Sequence, residues 1–77
     1  MKSGKGLNEQ LGSVLRAARL EAQLSQEELA FRAGLHRTYV SLIERGIKSP
    51  TLETFFRICA ALGFQPDVLI SRLKIPI

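Results

Sequence analysis

A chain of 77 residues holds one domain, and a single core of that size is marginal without a partner subunit. Its 45% apolar and 23% charged residues make a globular composition, one Cys and one His exclude an internal disulfide or a metal cage built on those residues, and no apolar run approaches the ~20 residues of a membrane span. The net charge of +4 points to a polyanionic partner, and seven of the eleven basic residues are Arg, whose planar fork suits phosphate and guanine.

Residues 1–6 (MKSGKG) are rich in Gly, Lys and Ser and read as a mobile arm ahead of a single domain over 7–77. No apolar signal core follows this basic start, which with the free Cys leads us to expect a cytoplasmic protein. The first helix is predicted from about Leu7 to Ala22, where Leu7, Leu11, Val14, Leu15 and Ala18 recur on one side. Ser25 with Glu28 three residues on is a capping box, so a second helix runs over Gln26–Ala33 and stops at Gly34. His36 is the expected cap of a third helix, about Arg37 to Arg45, which stops at Gly46. Thr51 caps a fourth, Leu52 to Leu62, ended by Gly63, and Pro66 opens a fifth that reaches roughly Leu73. No period-2 run is present, and the prediction is an all-α, compact five-helix domain.

The second and third helices are joined by about three residues with Gly34 at the start, which forces the sharp crossing of a helix-turn-helix. Seven positions satisfy that motif. Ala30 must be small where the helices cross, Gly34 takes positive φ, Leu29, Leu35, Val40 and Ile43 close the core between the helices, and Ala33 fills the eighth position. The string SQEELAFRAGLHRTYVSLIERG resembles the helix-turn-helix of the Xre/Cro-like, lambda-repressor-like DNA-binding family, with the flanking LRAARLEAQLSQEELA and SPTLETFFRICAALG extending the likeness from about Leu11 to Leu69. GLHRTYVSLIERG is similar to the controller proteins of bacterial restriction–modification systems, small dimeric regulators with this layout. The resemblance implies an ion pair between Arg19 of the first helix and Glu44 of the recognition helix, a lock on orientation more than a source of net stability.

Val40 and Ile43 turn to the core, with Tyr39 at their edge. Arg37, Thr38, Ser41, Leu42 and Arg45 make the opposite face, the one expected to enter a major groove. Arg37 can hold guanine O6 and N7 in a bidentate contact, and Thr38 can hydrogen-bond a base or touch a thymine methyl. Two readings stay open for Leu42, a thymine-methyl contact and a leucine exposed without role. Tyr39 either packs or offers its hydroxyl, or does both. Arg37, Thr38, Tyr39, Ser41 and Leu42 are thus the base-reading candidates. Gln26, Arg45, Lys48 and Ser49 are the phosphate-contact candidates, Gln26 because it opens a helix N-terminus. For Arg16, Lys2 and Lys5, ordinary surface charge is the stronger reading. Cys59 reads as a small core residue, and neither a cofactor nor a metal is expected.

The fourth and fifth helices carry more apolar residues than one core needs, so Phe56, Ile58, Ile70, Leu73, Ile75 and Ile77 are expected to supply a homodimer interface. A two-fold dimer then places two recognition helices roughly 34 Å apart on palindromic double-stranded DNA. The function read from the sequence is a sequence-specific transcriptional regulator, a candidate controller of restriction–modification genes, and not an enzyme. Rival readings are an antitoxin-type or phage-type repressor, told apart by gene neighbourhood, and a helical protein-interaction module without DNA, told apart by a flat salt dependence.

Overall fold

The computed structural model describes residues 6–74, which form five helices and no strand: α1 (Leu7–Glu21), α2 (Gln26–Ala33), α3 (Arg37–Glu44), α4 (Leu52–Leu62) and α5 (Pro66–Ile70). Lys2, Lys5, Ile75 and Ile77, and all of the expected arm except Gly6, lie outside the described residues.

The element boundaries follow from local chemistry. Ser25 Oγ accepts the Glu28 N–H at 3.0 Å, and the Glu28 carboxylate accepts the Ser25 N–H at 2.8 Å, closing the capping box of α2. The Ser25 N–H, and after it the Ser25 hydroxyl, hold the Glu28 carboxyl below the usual carboxylate range. Gly34 ends α2 at φ +71, and the next N–H, of Leu35, reaches back to the Ala30 carbonyl at 2.8 Å in a Schellman closure. Thr51 Oγ1 accepts the Thr54 N–H to start α4, and Gly63 ends it at φ +80. His36 occupies the expected N-cap position of α3 with extended backbone angles, and its side chain makes no capping bond.

The fifth helix is three residues shorter than the sequence predicts. Ser71 Oγ donates to the Val68 carbonyl at 2.7 Å, a local side-chain bond that competes with the helical ladder. Arg72 and Leu73 then bond three residues back rather than four. The Gln10 side-chain amide of α1 brackets the end of the described chain: its Nε2 donates to the Lys74 carbonyl at 2.9 Å and its Oε1 accepts the Lys74 N–H at 2.8 Å.

Leu15 of α1, Leu29 of α2, Val40 and Ile43 of α3, Ile58 and Cys59 of α4 and Leu69 of α5 make one buried core. α3 packs on α1 and α2, α2 on α4, and α4 on α5. Ile58 is 2% exposed, which removes it from the expected dimer surface. Phe55, Ile58, Cys59 and Leu62 fall at i, i+3, i+4 and i+7, so they form one inward stripe and leave Phe56 outside it. Burial raises the Cys59 thiol, as expected of a core residue rather than a nucleophile.

Candidate nucleic-acid interface

At 100° per residue, the eight residues of α3 and its C-cap Arg45 divide into two faces. Val40, Ile43 and Glu44 are buried and Tyr39 is half-buried against the core. The remaining arc has Thr38 and Arg45 at its centre, Ser41 and Leu42 at its shoulders and Arg37 at its N-terminal margin. Arg37, Thr38 and Arg45 are exposed, while Ser41 and Leu42 are half-buried. The face predicted to meet a duplex is therefore open, and its first turn contains no acidic residue to neutralise the positive end of the helix dipole.

An ion pair at the end of α3 fixes this helix. Arg19 Nε donates to Glu44 Oε2 at 2.7 Å and Arg19 Nη2 to Glu44 Oε1 at 3.0 Å, a fork-to-carboxylate contact with side chains 9% and 2% exposed. Arg19 Nη1 donates to the Leu24 carbonyl at 2.8 Å, so the guanidinium joins α1, the α1–α2 loop and α3. Hydrogen bonding to Glu44 raises the Arg19 pKa above its ordinary value. The pair implied by the resemblance is present in full.

Gln26 has a more specific place than the sequence suggests. Its Nε2 donates to Glu44 Oε1 at 3.1 Å, which ties the start of α2 to the base of α3. One of its two amide hydrogens is thus spent inside the protein, and with the Glu28 N–H held by Ser25 the backbone N–H groups of Gln26 and Glu27 are the ones at the start of α2 that can meet an anion. Lys48 and Ser49 are exposed on the exit loop. The Leu42 carbonyl accepts the N–H of Ile47 at 2.9 Å and that of Lys48 at 3.3 Å, and Gly46 (φ +78) presses on the Glu9 backbone of α1, where a Cβ would sit 2.9 Å from the Glu9 Cα. The loop is thus held against α1 with Lys48 and Ser49 outward.

Sequence reasoning missed Arg57. From α4 its Nε donates to the Ala33 carbonyl at 3.1 Å and its Nη2 to the Gly34 carbonyl at 3.0 Å, so a guanidinium caps the C-terminus of α2 and pins the turn leading into α3. The partners lie 24 and 23 residues away, and no local pattern signals such a contact. Arg57→Ala is expected to lower the melting temperature by about 5–10 °C, from about 1–2 kcal/mol of lost charge-assisted bonding. Arg57→Lys should recover part of that loss, and an unchanged melt for Arg57→Ala counts against the capping role.

Among the described residues no group of His, Cys, Asp and Glu is arranged to hold a metal, and no helix is long and apolar enough to cross a membrane.

A helix-turn-helix family profile matches residues 15–69. The control protein C.BamHI of Bacillus amyloliquefaciens is 47% identical over 61 residues, covering 78% of this chain and 75% of the relative. The crystal structure of the restriction-modification controller protein C.AhdI from Aeromonas hydrophila superimposes with a TM-score of 0.77 at 39% identity, over 79% of this chain and 92% of that one. The restriction-modification controller C.Esp1396I, solved as a tetramer in complex with its natural 35 base-pair operator, superimposes with a TM-score of 0.80 at 31% identity, over 88% of this chain and 90% of that one.

Proposed function

The chain belongs to the helix-turn-helix family of regulatory DNA-binding proteins, and we propose that it is a dimeric, sequence-specific transcriptional regulator controlling restriction–modification genes in the cytoplasm, without catalytic activity. The observation that carries this reading is the open, acid-free face of α3, with Arg37, Thr38 and Arg45 exposed on a helix locked from behind by Arg19 and Glu44.

In this reading α3 lies in the major groove, with Arg37 and Thr38 nearest the base edges. Ser41 and Leu42, half-buried at the shoulders, follow the groove walls, and Tyr39 serves mainly as packing. Arg45, Lys48 and Ser49 reach phosphates on one side of the groove, and the N-terminal amides at Gln26 do so on the other. A second copy seats on the outward side of α4 and α5. There Phe56 is 51% and Ile70 48% exposed, Leu52 and Val68 are open beside them, and Leu73 is half-buried. Phe56 stands edge-on to Phe55 with ring centroids 6.2 Å apart, which fixes its direction. The two-fold axis of such a dimer makes the preferred site a palindrome with half-sites about one helical turn apart.

Selection of duplexes from a random pool tests the reading. The expected product is a palindrome, and Arg37→Ala should lose discrimination at one base step of each half-site by about 1–3 kcal/mol, roughly 5- to 150-fold, while non-specific affinity persists. A pool without an enriched palindrome rejects the function. An equal loss on all sequences reassigns Arg37 to phosphate contact.

A further inference from the structure

The outward face of α3 is cationic at its ends and apolar in between. Arg37 and Arg45 are exposed at the two ends of the helix, and Lys48 is exposed beyond them on the exit loop. Between the two arginines lie Thr38 and Leu42. Leu42 is one turn on from Thr38 and about 40° round the axis, so the two share a side. Among the described residues, the half-buried apolar side chains that pack on the core include Leu35 and Tyr39 but not Leu42. The Leu42 carbonyl accepts the Ile47 N–H at 2.9 Å, which keeps Ile47, itself 60% exposed, at the same end of the face. A single exposed leucine needs no explanation. An apolar strip across a face otherwise suited to a polyanion has one, because a duplex offers it a counterpart.

We propose that Leu42 reads the C5-methyl group of a pyrimidine in each half-site. The inference rests on the DNA-binding reading above and adds the base atom that this residue meets. Base edges in the major groove present hydrogen-bond donors and acceptors, and the thymine C5-methyl is the apolar exception. Leucine neither donates nor accepts. Against any other group it leaves a polar atom covered and unsatisfied, which costs affinity, and against a methyl it removes apolar surface from water.

The backbone holds Leu42 at a fixed depth. Its carbonyl also accepts the Lys48 N–H at 3.3 Å, and the next two residues are anchored, Ile43 in the core and Glu44 in the ion pair with Arg19. The side chain therefore cannot retreat from a base edge without lifting the end of α3. The group recognised is shared by two bases. 5-Methylcytosine carries the same methyl at the same ring position as thymine and differs in the exocyclic group at C4, to which leucine makes no hydrogen bond.

The test starts from the palindrome selected out of the random pool. Each thymine is replaced by uracil in both half-sites together, which deletes the methyl and keeps every hydrogen-bonding group. Wild-type protein should lose roughly fourfold in affinity per half-site at one position, the transfer value of a single methyl group, and little elsewhere. Leu42→Ala should bind the thymine and uracil duplexes equally at that position, while Thr38→Ser keeps the difference. Leu42 lies outside the core and alanine suits a helix, so this variant should fold, and the wild-type comparisons need no variant at all. With cytosine at the same position, adding the 5-methyl should regain about the same factor for wild type and nothing for Leu42→Ala. Uracil sensitivity without that gain supports the contact with thymine as its source. Uracil tolerated at every position, a sensitivity unchanged in Leu42→Ala, or one lost in Thr38→Ser and kept in Leu42→Ala overturns the inference. A pool that yields no palindrome rejects the DNA-binding reading instead.

Discussion

Glu44→Ala should unfold much of the population at moderate temperature. Truncation leaves the Arg19 guanidinium buried with the Leu24 carbonyl as its remaining acceptor, and it removes the acceptor of the Gln26 amide as well. Removing one member of a buried pair costs about 3–5 kcal/mol, because the surviving charge has lost both water and partner. A domain of this length has roughly 4–12 kcal/mol of total stability at 0.05–0.15 kcal/mol per residue, so the loss is a large fraction of it. The melting temperature should fall by on the order of 15–30 °C. Removing both charges tests the cause. Arg19→Met combined with Glu44→Met fills similar volume without a buried charge, and it should regain most of the loss. If Glu44→Ala melts within a few degrees of wild type, or the double variant is no better than the single one, the uncompensated charge is not the mechanism. Operator affinity offers a second reading: the double variant should fold and still bind more weakly, since the fork that orients α3 on α1 is gone.

That pair marks one boundary of what the sequence makes legible. Signals that act within one turn of chain are readable: the Ser25–Glu28 box, the left-handed stops at Gly34 and Gly63, the Thr51 cap and the helix start at Pro66. The outward set of α3 is readable too, because one apolar stripe fixes the opposite face. Long-range contacts are not. Arg57 finds the end of α2 only after α4 has folded across it, and Gln10 meets Lys74 across 64 residues. Arg19 and Glu44 are reached through family resemblance and not through any spacing. Ile58 shows a different failure. Counting apolar residues in α4 detects a surplus but not which member is surplus, and sorting by i, i+3, i+4, i+7 leaves Phe56 outside and puts Ile58 in the core. The end of α5 depends on a Ser71 hydroxyl bonding locally, a competition that composition does not settle.

Gly12 is the position where the smallest possible addition should have the next largest effect. It lies on the buried side of α1, where that helix crosses the end of α3. A Cβ there would sit 2.5 Å from the carbonyl oxygens of both Ile43 and Glu44 and 2.8 Å from the Glu44 carbonyl carbon. All three atoms are backbone, so no rotamer change relieves the overlap, and α1 has to lift from α3 by almost an ångström. Two effects oppose each other in Gly12→Ala. Alanine favours the helix by about 1 kcal/mol over glycine. Overpacking costs about 1–3 kcal/mol where side chains can adjust, and rigid carbonyls put this site at or above the upper end. Lifting α1 also stretches the Arg19–Glu44 fork, which spans the same two helices. Sterics should therefore win by about 2 kcal/mol, lowering the melting temperature by about 8–16 °C. Because the displaced contact lies at the base of the recognition helix, affinity for the selected palindrome should fall more than affinity for random duplex. A melt equal to or above wild type would mean that α1 and α3 separate without cost, and that the close approach at Gly12 has no part in holding α3 in place.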